Sequence, residues 1–102
     1  MGEIDGAQLT EAVLIWTGYK KSTRPLRDNA LVLQRFGPEA GAHLLAAVLH
    51  LKDEFYQSDA RHVAADLPEM ARLSVEQFRR KHPEVAEEIA QAFAWCYTFD
   101  FK

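Results

Sequence analysis

The segment from Pro38 to Gln57, PEAGAHLLAAVLHLKDEFYQ, is the longest stretch of this chain with helical periodicity. At ~100° per residue, its apolar residues fall on one side of a helical wheel. That side comprises Ala40, Leu44, Ala47, Val48, Leu51 and Phe55, with Gly41 and Leu45 at its margin. The opposite side comprises Glu39, His43, His50, Asp53, Glu54 and Gln57. The pattern predicts a long amphipathic helix against which the remaining segments pack.

Two helices are predicted before this one, from capping residues and helix breakers. The first follows a short lead from residue 1 to residue 6. Asp5 and Gln8 have the spacing of a capping box at its start, and Gly18 with the polar loop after it marks its end. A second, short helix ends before Gly37, which can close a helix, and Pro38 opens the next one.

Two more helices are predicted after it. Asp66 and Glu69 have the spacing of a second capping box, so a fourth helix starts there. The segment 58–66 has no clear apolar stripe and is predicted to be a short helix or an irregular connection. Pro83, which suits the first turn of a helix, is predicted to start the last helix, and Val85 is expected inside the protein.

The C-terminal residues follow a different period. From Phe93 to Phe101, aromatic residues alternate with small or polar ones, which is the period of a strand. A lone strand has no partner in a helical domain. We therefore expect the last helix to end near Tyr97 and a short extended aromatic tail to begin at Thr98.

Length and composition fit a single helical domain over residues 1–102. A chain of 102 residues with 48% hydrophobic residues can bury a continuous core without a disulfide or a structural metal. With short connections, neighbouring helices pack mostly antiparallel. The predicted fold is therefore all-α, a compact bundle of four to five mostly antiparallel helices followed by the extended tail.

Charge and cysteine content limit the partners and the compartment. The formal net charge of -3 is too small for general adhesion to nucleic acid or to anionic membranes, and it mildly favours a basic protein partner. The single cysteine, Cys96, cannot form an intramolecular disulfide, and no signal-peptide pattern or apolar run of ~20 residues is present. We expect a soluble cytoplasmic protein that does not enter a membrane.

Glu39, His43, His50 and Glu54 form the strongest cluster of metal-ligating residue types. Glu39 and Glu54 are 15 residues apart, or ~22 Å along a helix, so the four cannot share one ion. A compact site would need His50 and Glu54 with a third ligand from elsewhere. A solvated helix face accounts for the same pattern, so we expect neither a bound metal nor another cofactor.

No catalytic residues are predicted. Cys96 lies on the apolar stripe of the last helix, where burial raises the pKa of a thiol and suppresses the thiolate. Serine, histidine and aspartate spacings identify no triad, because such groups meet only in space. The sequence therefore does not favour an enzyme.

The segment from Lys20 to Arg27 is a basic loop and a candidate anion site. It concentrates four basic residues, Lys20, Lys21, Arg24 and Arg27, within eight positions. Such a loop could hold a phosphate or a carboxylate. No glycine-rich cradle accompanies it and the chain is acidic overall, so a plain solvated loop is the competing interpretation and nucleic acid is disfavoured.

The aromatic C-terminus is the candidate surface for a partner. Trp95 falls off the apolar stripe of the last helix, and Phe99 and Phe101 follow it. The acidic residues that border this surface are Glu84, Glu88 and Asp100. These aromatics either close the bundle as core or form a contact surface, where large aromatic side chains dominate binding energy.

Two classes of function remain open. The preferred one is a small cytoplasmic protein–protein interaction or regulatory module, for instance an inhibitor of the immunity or antitoxin kind that masks a basic partner. The alternative is a small ligand-binding or metal-binding helical protein that uses either the face of His43, His50 and Glu54 or the loop from Lys20 to Arg27.

Overall fold

The computed structural model describes residues 4–102; the start of the predicted lead, residues 1–3, lies outside them. These residues form α1 (Gly6–Thr17), α2 (Asn29–Phe36), α3 (Pro38–Phe55), α4 (Ala60–Val63), α5 (Leu67–Lys81) and α6 (Glu87–Asp100). Helix accounts for 72% of the described chain, which contains no strand, so the predicted all-α fold is confirmed. Within the same residues, every helix is too short or too polar to cross a membrane.

Helix α3 buries the predicted face. Leu44, Val48, Leu51 and Phe55 are all buried, as the wheel predicts. Ala40 is exposed, contrary to the prediction, and Gly41 is buried in its place. The reason is the position of α2: a Cβ added to Gly41 would come within 3.0 Å of the Leu33 backbone, so α2 packs directly on this glycine.

Helix α6 forms the other half of the core. Its buried residues are Ile89, Ala90, Ala92, Phe93, Ala94, Cys96 and Tyr97. The ring of Phe55 on α3 lies 6.0 Å from the ring of Phe93 and 5.8 Å from that of Tyr97. It also lies 5.2 Å from the ring of Phe78 on α5, so aromatic rings join α3, α5 and α6 at one point.

Helix α6 packs against both α5 and α1. Helices α5 and α6 are joined by the short connection 82–86 and contact each other through Phe78 and Phe93. Helices α1 and α6 run in the same direction. Leu9 and Ile89 line one groove near the helix starts, and Tyr19 contacts Trp95 near their ends.

Two predicted caps are present. The Asp5 carboxylate accepts the amide of Ala7 at 2.8 Å, although the return bond from Gln8 that a capping box requires does not form in residues 4–102. At α5 the Asp66 carboxylate accepts the amide of Glu69 at 2.9 Å, and the return bond forms one residue before the cap, because Glu69 accepts the amide of Ala65 at 2.6 Å. This cap separates α5 from the short helix α4, which lies in the segment predicted as short helix or connection.

The last helix differs from the prediction at both ends. It starts at Glu87 instead of Pro83, because the chain first makes a turn in which the amide of Val85 donates to the His82 carbonyl. It also continues to Asp100, so the extended tail predicted from Thr98 is wrong. Helical geometry there lets Tyr97 point into the core while Trp95 stays at its edge.

Candidate functional site

The end of α6 is fastened to the basic loop by a three-residue clasp. The Asp100 carboxylate accepts hydrogen bonds from the guanidinium of Arg27 and from the hydroxyl of Tyr56, the latter at 2.7 Å. The hydrogen bond to Asp100 raises the pKa of Arg27, while burial and then the same carboxylate raise the pKa of Tyr56. Asp100 and Arg27, predicted for two different sites, therefore neutralise each other.

Cys96 lies one helical turn before the clasp and is buried. Burial is the main cause that raises the pKa of its thiol to about 11, and Arg27 opposes this effect. The thiol therefore stays protonated at neutral pH, as the sequence predicts for a core cysteine.

Phe101 packs onto the protein although it is 38% exposed. Its ring lies 4.9 Å from the ring of Tyr97 and 6.1 Å from that of Tyr56. In addition, the guanidinium of Arg61 lies 4.5 Å from the centre of the Phe101 ring. Phe101 thus packs on Tyr97, Tyr56 and Arg61 while part of its side chain remains exposed.

Trp95 and Phe99 face a different direction. Trp95 is half-buried, and its ring lies 5.8 Å from the ring of Tyr19, which follows α1. Phe99 is 36% exposed and lies one helical turn after Trp95, with the ammonium of Lys102 4.4 Å from its ring centre. Tyr19, Trp95 and Phe99 form a surface that we call the aromatic face.

A groove of about 370 Å³ between α1 and α6, the α1–α6 groove, adjoins Tyr19. Its lining residues are Glu11, Leu14, Ile15, Tyr19, Lys20, Lys21 and Glu88. It therefore brings Glu88, predicted for partner binding, together with Lys20 and Lys21, predicted for anion binding. Arg24 is exposed and Arg27 lies in the clasp, so the four basic residues of the loop do not form one site.

A larger groove of about 580 Å³, the N-terminal groove, lies at the other end of these helices. Its lining residues are Ile4, Gly6, Ala7, Leu9, Thr10, Ala47, His50, Leu51, Glu84, Val85, Ala86 and Ile89. This groove is not predictable from the sequence, because it forms where the start of α1, the middle of α3 and the turn before α6 meet. Among its lining residues, His50 was predicted as a candidate metal ligand and Glu84 as an acidic border of the aromatic contact surface.

The predicted histidine face does not converge. His43 and His50 are exposed, while Glu54 lies 3.2 Å from His82 Nε2 and accepts from Gln57 at 3.3 Å. Within residues 4–102, no three side chains of histidine, cysteine, aspartate or glutamate are arranged to hold a metal ion. The face is a solvated surface with one histidine at the edge of the N-terminal groove.

Sequence reasoning missed Tyr19 and Tyr56, which connect the predicted residues to one another. Tyr19 precedes the basic loop, so its position beside a charged segment was a usable signal. Tyr56 lies at the end of the central helix and gave no signal, since its partner Asp100 is 44 residues away.

Comparison of the chain with protein-family models, curated proteins and solved structures finds no significant match. Functional inference therefore depends on the geometry of residues 4–102. In that geometry, the aromatic face with the α1–α6 groove is the surface that collects the largest group of the predicted residues, namely Trp95, Phe99, Glu88, Lys20 and Lys21.

Proposed function

We propose that this protein is a protein-interaction module of the regulatory or inhibitory kind, which binds a basic partner through the aromatic face and the α1–α6 groove. The observation that carries the proposal is the half-exposed ring of Trp95, held 5.8 Å from Tyr19 beside this groove. An inhibitor of the immunity or antitoxin kind is one example of such a module.

The aromatic face has the features of a binding hot spot. Tryptophan and tyrosine are enriched among the residues whose loss costs most binding energy. Because Tyr19 already packs against Trp95, the indole loses little freedom when a partner covers it. The groove beside it offers Leu14 and Ile15 to an apolar side chain of the partner.

Charge favours a basic partner and one orientation of it. Glu88 lines the groove and, within residues 4–102, forms no ion pair. Glu11 lies nearby and is paired with Arg35 at 2.7 Å on the surface. A basic residue of the partner can therefore approach Glu88, while an acidic residue suits Lys20 and Lys21 at the other end of the groove.

The test is a titration of the purified partner. The partner is captured from native lysate, identified by mass spectrometry, expressed and titrated against variants. We expect Trp95→Ala to weaken binding by about 30-fold, because losing a hot-spot residue costs ~2 kcal/mol or more. Glu88→Lys should slow association and reduce its salt dependence.

Leu67→Ala is the matched control, because Leu67 is also an exposed large apolar side chain but lies on α5. It should leave binding unchanged. Thermal unfolding of each variant separates contact from folding. Equal affinity of Trp95→Ala and wild type, a partner without a basic contact surface, or loss of binding only in variants that unfold would each refute the proposal.

A further inference from the structure

The N-terminal groove combines the size and the lining of a small-molecule site. Its volume of about 580 Å³ lies in the range of ~300–1,000 Å³ that drug-sized ligands occupy. Leu51, Val85 and Ile89 are buried core residues that also line it. A hydrocarbon chain bound there would contact the core directly and would be shielded from water.

Charge around this groove distinguishes between possible ligands. Glu84 and His50 are its ionisable lining residues within the described chain, and neither lysine nor arginine lines it. The Glu84 side chain is 71% exposed, 3.7 Å from His82 Nδ1, and available at the mouth. A neutral His50 imidazole can accept a hydrogen bond from a cationic ligand.

Two helix starts also lie at this groove, and their partial positive charges would by themselves favour an anion. Carboxylate groups, which carry a full negative charge, oppose the partial positive charges of both helix starts. Asp5 caps α1 by accepting the Ala7 amide, and Glu87 and Glu88 occupy the first turn of α6. Because a full charge outweighs a helix end of about half a charge, the mouth favours a cation.

We propose that the N-terminal groove binds a small amphipathic amine, with its hydrocarbon chain against Leu51, Val85 and Ile89 and its ammonium group beside Glu84. The ligand would contact α1, α3 and the turn before α6 at once. Because it binds only the folded arrangement of these elements, it stabilises the folded protein by an amount that rises with the logarithm of its concentration once it is in excess over Kd. This site is separate from the aromatic face and does not depend on the proposed partner.

The probe is n-octylamine, compared at neutral pH with octanoate and octanol, which have the same chain length and differ in charge. Binding is followed by amide chemical shifts and by the unfolding temperature of the full chain. We expect saturable binding of octylamine with shifts centred on the lining residues, weaker binding of octanol and the weakest binding of octanoate. All three ligands are kept below their micelle concentrations.

Matched variants locate the ligand. Ala7→Trp should abolish octylamine binding, because Ala7 is an exposed residue in the first turn of α1 and lines the groove. Ala30→Trp is its control: Ala30 occupies the same position after an aspartate cap in α2, and its amide also donates to that cap, yet it lies outside the groove. This variant should bind as wild type does.

Glu84→Gln should weaken octylamine by about two- to fivefold, as expected for a solvent-exposed ion pair, and leave octanol unchanged. Glu39→Gln, at an exposed position in the first turn of α3, should change neither. Octanoate binding as tightly as octylamine would refute the charge assignment. Absence of saturable octylamine binding, or full binding by a folded Ala7→Trp variant, would refute the site.

Discussion

The hydroxyl of Tyr97 is the clearest case of a single group holding two segments together. Tyr97 is fully buried, and its hydroxyl donates to the Ser58 carbonyl at 2.8 Å and accepts the amide of Arg61 at 3.0 Å. One oxygen of α6 thus bonds a carbonyl of the connection between α3 and α4 and an amide of α4. Loss of this oxygen would leave the Arg61 amide without this acceptor, while the Ser58 carbonyl would keep the Arg61 guanidinium as a donor at 3.2 Å.

We predict that Tyr97→Phe lowers the free energy of unfolding by about 1 to 3 kcal/mol, because the Arg61 amide loses its acceptor inside the protein. Tyr19→Phe is the control, because the Tyr19 hydroxyl makes no hydrogen bond in the part of the chain that the structure describes. It should change stability by less than about 0.5 kcal/mol. Urea unfolding of both variants measures this, and equal losses would contradict the assignment.

The sequence predicts the burial of some residues but not the contacts of others. The burial of Val48 and Phe55 is predictable, because buried positions recur with each turn of a helix and follow from local spacing. The pair of Arg27 with Asp100 joins residues 73 positions apart. Nothing in the local spacing of either residue indicates which loop meets which helix end, and so the sequence assigned them to different sites.

Helices α2 and α3 meet at a corner that contains two glycines with different roles. Gly37 has a positive φ of 89° and closes α2 by donating to the Leu33 carbonyl. Gly41 is helical and buried, and lets the Leu33 backbone approach its Cα. The first glycine permits the turn and the second permits the close packing that follows.

We predict that Gly41→Ala lowers the free energy of unfolding by about 1 to 3 kcal/mol, although alanine favours a helix. The added Cβ would lie 3.0 Å from the Leu33 Cα and 3.2 Å from the Val32 carbonyl oxygen, so α2 must move. Gly6→Ala is the control, since no atom lies within 4 Å of its added Cβ.

Gly6→Ala should leave stability unchanged or raise it by up to about 1 kcal/mol. Denaturant unfolding of the two alanine variants provides the comparison. A Gly41→Ala protein as stable as the Gly6→Ala protein would show that the corner is loosely packed.

Helix α6 shows how one pattern can fit two periods. Phe93, Tyr97 and Phe101 are four residues apart, and Trp95 and Phe99 form a second series with the same spacing. Together the two series alternate along the chain, which is also the period of a strand. The structure resolves the ambiguity by burying Phe93 and Tyr97 and placing the second series on another side of the helix.

At the scale of the whole molecule, the candidate surface is made by segments far apart in sequence. Glu88, Trp95 and Lys20 were each predicted as candidates, because charge and aromatic content are visible residue by residue. Their proximity was not predictable, since it requires α1 and α6 to lie side by side and in the same direction. The packing of α1 beside α6 therefore converts separate candidates into one surface.

Burial of Cys96 in the folded protein makes global stability depend on pH. Burial raises the pKa of the folded thiol from its ordinary value of 9.0, which the unfolded chain keeps, to about 11. Between these values the unfolded chain loses its proton while the folded chain keeps it. The free energy of unfolding therefore falls as pH rises through this window, and is unaffected below it.

We predict that this linkage lowers the free energy of unfolding by up to about 3 kcal/mol between pH 9.0 and about pH 11. The raised pKa of Tyr56 acts in the same direction above about pH 10, so the thiol contribution must be isolated. Cys96→Ala removes the thiol and keeps Tyr56. Urea unfolding across pH 7–11 should show a shallower decline for this variant than for wild type, with the largest difference in slope near pH 9–10. Parallel curves would mean that Cys96 titrates alike in both states, and that its position behind the clasp does not shield it from water.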